Sequence, residues 1–179
     1  MKIKFVIFCM LVLLSKFALA QSNIDRGTYG LDVSIRATFM LHIVNYSRWD
    51  NPSNKQNFCL LEQDGGKYYQ ELVKDDFAKS AKVALNVVQI NTLPEAYVQK
   101  CHYLFIDQAN ESDDIFQQLE TANKQMVTIG ESPQFVNQGG LMSLVSEYDR
   151  VKIYISRNKY KTSSVKFSAR LLKFANFSG

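Results

Sequence analysis

Three runs of four residues set the terms for this chain: Phe58-Cys59-Leu60-Leu61, Tyr103-Leu104-Phe105-Ile106 and Met126-Val127-Thr128-Ile129. Each is too short for a stable helix, and turn or polar residues follow at Asp64-Gly65-Gly66, Asp107 and Gly130. A strand that is apolar on consecutive residues buries both of its faces, so a sheet built from such strands needs cover on both sides. The segments between the runs supply that cover. Lys67–Lys79 reads as helix with Tyr69, Leu72, Val73 and Phe77 inward, and Pro94–Gln99 as a helical turn. Ser112-Asp113-Asp114 opens a helix through Thr121, with acids at the positive end of its dipole, and Ser132-Pro133 opens another.

Ala84–Ile90 is rich in β-formers, Gly139-Gly140 leads into Leu141–Val145, and Val151–Ile155 alternates apolar with Lys and Tyr. The short Glu147-Tyr148-Asp149 turn makes this last strand antiparallel to its neighbour. The pattern predicts a three-layer α/β domain, with a mainly parallel sheet of about six strands, helices on both faces and an antiparallel edge strand. An opening helix over Leu31–Arg48 is expected to bury Ile35, Phe39, His42, Ile43 and Tyr46, and a closing helix is expected over Val165–Phe177.

The start of the chain reads as a secretory signal. Lys2 and Lys4 precede the apolar run Phe5–Leu14, and Ala18-Leu19-Ala20 follows. Cleavage is expected between Ala20 and Gln21. No stretch of the remaining 159 residues (179 less 20) is long and apolar enough to span a bilayer, so residues 21–179 are expected to form one soluble domain outside the cytoplasm. Loss of Lys2, Lys4 and Lys16 leaves 18 basic residues (21 less 3) against 17 acidic ones. The balance is uneven: from Arg150 onward there are eight basic residues and no acidic one. Such a face could meet anionic lipid or an acidic partner, but the spacing is not clustered, which favours a solvated helical face. It lacks the aromatic stacking platform of a nucleic-acid binder. Cys9 leaves with the signal, and the even pair that remains, Cys59 and Cys101, reads as a disulfide in an oxidising compartment.

No catalytic constellation emerges. Asp64-Gly65-Gly66-Lys67 lacks the spacing of a phosphate loop and reads as a plain turn. Cys101 and His102 are neighbours on a strand and so point to opposite faces. Two histidines and two bonded cysteines leave a zinc site short of ligands, and no residue pattern implies a cofactor. Asp64, Asp107 and Glu131 fall at strand carboxyl ends, where they would line a small-ligand cleft or simply cap helices.

Three ordered segments resemble the YfiR family. The first is Arg36–Trp49, an apolar helix with aromatic residues and a Trp before the Pro52 loop. The second is the pair of Cys-bearing strands, Phe58–Leu61 and Cys101–Ile106. The third runs from Gly139-Gly140-Leu141 through Val151–Ile155 to Phe167-Ser168-Ala169-Arg170-Leu171-Leu172-Lys173. The sequence departs from the family in having no cysteine between Leu141 and Arg157, and in carrying Leu141-Met142-Ser143 where Met-Ile-Asn is common. The resemblance implies a periplasmic, non-catalytic α/β protein that dimerises. It also implies binding to the periplasmic part of an inner-membrane diguanylate cyclase, repression of cyclic-di-GMP output, and sequestration by an outer-membrane lipoprotein.

Overall fold

A computed structural model describes residues 32–63, 65–148 and 150–179; the expected signal peptide and Asp64 lie outside them. Helix α1 (32–46) runs into a short strand, β1 (Ser47–Trp49). Strands β2 (Lys55–Leu61), β3 (Ala84–Ile90), β4 (Tyr103–Ile106), β5 (Val127–Gly130), β6 (Met142–Glu147) and β7 (Arg150–Ser156) follow the expected positions. Between them lie α2 (Lys67–Leu72), α3 (Asp75–Ser80), α4 (Leu93–Val98), α5 (Asp113–Ala122) and α6 (Pro133–Asn137). The main sheet has seven strands in the order β3-β2-β4-β5-β6-β7-β9, where β9 is Ala175–Ser178. The block from β3 to β6 is parallel, β7 is antiparallel to β6, and β9 is parallel to β7 and forms the edge.

Alternation along the buried strands divides the core in two. Phe58, Leu60, Tyr103, Phe105, Val127 and Ile129 face a cluster shared with α1 and α2. Cys59, Leu61, Leu104 and Ile106 face a cluster shared with α4, α5 and α6. This is the three-layer architecture that the apolar runs require. Gly130 and Gly140 carry no side chain for a packing reason: a Cβ on either would fall inside the ring of Phe135 on α6.

Three local expectations are corrected. Lys67–Lys79 is two short helices, and Tyr68 rather than Val73 is buried; Val73 is 44% exposed. Val165–Phe177 is no helix. It is strand β8 (Val165–Phe167), one helical turn α8 (Ala169–Leu172) and strand β9, preceded by an unforeseen α7 (Arg157–Thr162). Ser168 caps that single turn by accepting from the Leu171 N–H at 3.3 Å. The flanking residues meet stronger demands elsewhere, because β8 pairs with β1 and β9 completes the edge of β7. Finally, α1 buries Val33, Ala37, Met40, Ile43 and Val44; of the expected inward residues only Ile43 is buried. The sheet face below already holds Phe58, Tyr103 and Phe105, so the helix stripe with the smaller residues packs onto it.

Cys59 and Cys101 are joined, with their Cα atoms 5.8 Å apart, on the face covered by α4 and α5. The bond fixes β2 to the entry of β4 across a loop of 42 residues. Alkylation of denatured, unreduced protein is expected to find neither thiol free. The double substitution Cys59→Ala/Cys101→Ala is expected to lower the unfolding free energy by about 3 kcal/mol. Alkylation at both positions without reductant would contradict the bond.

Candidate functional site

The sheet order reverses between β2 and β4, which is where parallel α/β sheets of this order bind ligands. Here the crevice is bridged from within. The Asp107 carboxylate, 1% exposed, accepts from the N–H of Gln63 at 2.8 Å and of Asn110 at 3.1 Å, and from Asn110 Nδ2 at 2.7 Å. Its own N–H donates to Leu61 O at 3.1 Å, tying the two strand ends together. Glu62 accepts from the N–H groups of Tyr68 and Tyr69, both at 2.9 Å, and so caps α2. Burial raises the Glu62 carboxyl above its ordinary range, while those two N–H bonds act the other way.

Glu131, at the end of β5, is 6% exposed. One carboxylate oxygen accepts from the Gln108 N–H at 2.7 Å; the other accepts from the Arg36 guanidinium and the Tyr68 hydroxyl. Arg36 Nη1 also donates to the Tyr68 oxygen at 3.0 Å and lies 3.3 Å from Asp32, and Nη2 donates to Ser146 Oγ at 2.9 Å. Burial pushes the Tyr68 phenol well above its usual range, and the neighbouring Glu131 carboxylate adds to this. Burial alone would lower the Arg36 guanidinium, yet Tyr68 and Glu131 raise it. Ionised Arg36 and neutral Tyr68 therefore persist across the physiological range. Glu111 likewise accepts from the N–H groups of Glu131 at 2.7 Å and Ser132 at 3.0 Å.

The structure thus brings Asp107 and Glu131 to adjacent strand ends and engages both as structural acceptors. Both line a polar cleft of about 480 Å³, together with Asp32, Arg36, Lys67 and Gln108. Neither carboxylate is placed for acid–base work, since its lone pairs already meet buried donors. Arg36, Tyr68 and Glu62 complete this network and were not singled out by sequence reasoning.

Cys101 and His102 point apart. Cys101 sits in the core under α4, whereas His102 Nδ1 accepts from the Asn57 N–H at 3.2 Å, with its ring edge-on to Trp49 at 5.6 Å. Burial holds the His102 imidazole below its ordinary range, and its bond with the Lys100 backbone opposes this. His42 is exposed and stacks on Tyr46 at 5.9 Å. Among the described residues no group of three His, Cys, Asp or Glu side chains is placed to hold a metal.

Exposed apolar surface gathers elsewhere. Phe39, His42 and Tyr46 on the outer flank of α1 meet Ile153, Arg170, Leu171 and Phe174 around a shallow groove of about 150 Å³. Phe174 is 68% exposed and Phe177 on β9 is 40% exposed. Of the basic residues of this region, Arg157, Lys159 and Lys161 lie on α7, a helix with no buried residue, and several others stand over aromatic rings, among them Arg170 over Tyr46 at 5.5 Å.

Residues 33–176 match the model of a family described as YfiR/HmsC-like. The chain belongs to the YfiR/HmsC-like family. The match spans α1 through β9, so it includes both Cys-bearing strands, the Gly139-Gly140 entry to β6 and the C-terminal β8–α8–β9 segment. No curated protein matches this YfiR/HmsC-like chain. Among solved structures, a conserved domain protein from Vibrio cholerae O1 biovar El Tor str. N16961 shares the fold, with a TM-score of 0.55 at 11% identity. The superposition covers 82% of this chain and 60% of that one, so the chain spans about three fifths of the length of its structural relative.

Substitution of Glu131 by Gln leaves the Arg36 charge short of its buried counter-ion and is expected to cost about 3–5 kcal/mol in urea unfolding. Asp32→Asn removes a rim charge that is one-third exposed and is expected to cost less than about 1 kcal/mol. Equal losses for the two variants would contradict the structural role assigned to Glu131.

Proposed function

We propose that this protein is a periplasmic regulator that does no chemistry of its own. It binds the periplasmic part of an inner-membrane diguanylate cyclase and holds that enzyme in a less active state, lowering cyclic-di-GMP. Membership in the YfiR/HmsC-like family across residues 33–176 carries this reading. One structural feature supports it: the carboxylates at the strand ends are engaged internally as acceptors for backbone N–H groups. A small-ligand module at the strand ends has less support, because Asp107 and Glu131, which line the cleft there, are already engaged as acceptors within the fold.

The mechanism needs no active site. A protein on one side of a membrane changes output on the other only by preferring one state of a membrane protein, and the size of that preference bounds the effect. The pair Cys59–Cys101 keeps the binding-competent fold in an oxidising compartment. Export through cleavage after Ala20, self-association into a dimer, and relief of repression by an outer-membrane lipoprotein belong to the same reading.

Crosslinking in whole cells that express a tagged protein, followed by recovery and mass spectrometry, tests the proposal. Enrichment of an inner-membrane diguanylate cyclase is the expected result. Recovery of self-dimer alone, in cells shown to contain such a cyclase, would overturn it.

A further inference from the structure

The excess of basic residues after Arg150 acquires a shape in the fold. Arg170 and Lys82 both stand over Tyr46, at 5.5 and 5.1 Å from its centroid. Arg157 stands over Phe177 at 5.2 Å, and Lys166 over Tyr160 at 5.9 Å. These pairs form one surface. Tyr160 stacks on Phe167 at 5.1 Å and lies 6.5 Å from Phe177, and the Ser168 N–H donates to Tyr46 O at 2.9 Å. Lys173 and Phe174 are both exposed and adjacent in the chain, while Lys159 turns instead to Glu120, 3.6 Å away.

The form of this surface indicates its occupant. The Phe174 ring protrudes, Phe177 is 40% exposed beside Arg157, and the groove next to Phe174, at about 150 Å³, is well below the roughly 300–1,000 Å³ of ordinary ligand pockets. A rigid protein partner is held by anchors that fill pockets, with charges paired at fixed positions. Here the cations are spread among rings, with no fixed acceptor geometry. That arrangement suits a fluid interface, which supplies phosphates wherever a cation falls and accepts aromatic rings at headgroup depth.

We infer that this face, from the outer flank of α1 across α8 and β9, docks on an anionic phospholipid surface. The cations Lys82, Arg157, Arg170 and Lys173 meet headgroup phosphates, and Phe174 and Phe177 enter the interface. Docking in this way concentrates the protein in the plane of a membrane and leaves the strand-end side free. The inference rests on the function proposed above only for which membrane is met, since lipid binding itself requires no protein partner.

Co-sedimentation of the purified protein with vesicles tests it. The protein is expected to sediment with phosphatidylglycerol-containing vesicles, to stay in solution with pure phosphatidylcholine, and to be released by salt. Arg170→Glu, on an exposed side chain, is expected to reduce partitioning about tenfold or more, and Phe174→Ser to reduce it with an unchanged thermal melt. Three results would overturn the inference: no sedimentation with anionic vesicles at low ionic strength, equal binding by Arg170→Glu, or binding to native inner membranes but not to pure lipid, which would assign the face to a protein. The first two results leave capture of a cyclase by crosslinking unaffected, so failure of the lipid inference and failure of the proposed function are distinguishable.

Discussion

The ion pair between Arg36 and Glu131, bridged by the Tyr68 hydroxyl, joins three elements at one point: α1, α2 and the end of β5. It fixes how α1 lies on the sheet. With Arg36 turned toward Glu131, Ala37 and Met40 face the strands, Phe39 and Tyr46 are partly buried at the flank, and His42 is exposed. The same contact engages the Glu131 carboxylate where it lines the strand-end cleft. One buried interaction therefore sets both the inert character of the strand ends and the presence of an exposed aromatic flank. Buried ion pairs add little net stability over apolar packing, but breaking one is costly, so this pair acts mainly to specify a single arrangement of the helix.

Polar closure at the strand ends follows the same logic throughout. Asp107, Glu62 and Glu111 each accept from backbone N–H groups of a neighbouring segment. A sheet covered on both faces exposes its strand termini to only a narrow strip of solvent, and buried N–H groups there require acceptors. Four carboxylates, Glu62, Asp107, Glu111 and Glu131, gather at one end of the sheet and act there as fastenings for loops. The surface left for interaction is the opposite in character: aromatic, basic and shallow.

Much of this fold was legible in the sequence because the central strands are buried on both sides. Phe58–Leu61 and Tyr103–Ile106 leave no face for water, so neither a helix pattern nor a surface strand competes with their assignment. The C-terminal segment was not legible. Phe167, Leu171 and Phe174 fall at helical spacing, but strands β8 and β9 exist only because β1 and β7 offer unpaired edges, which is information held far away in the chain. The opening helix showed two adjoining apolar stripes, and periodicity does not say which one a sheet already crowded with Phe58 and Tyr103 will accept. For the candidate site, the positions of Asp107 and Glu131 at strand ends were readable. Their partners were not, because Arg36 and Tyr68 lie 95 and 63 residues from Glu131.

A regulator that works by binding alone changes the output of its target without turning over a substrate. The most direct measurement is intracellular cyclic-di-GMP in cells with and without the gene, and in deleted cells that again produce the protein. Repression predicts a rise on deletion that is reversed by the intact protein but not by a variant with its export signal removed. An unchanged cyclic-di-GMP level on deletion, in cells whose cyclase is present and active, would contradict the account.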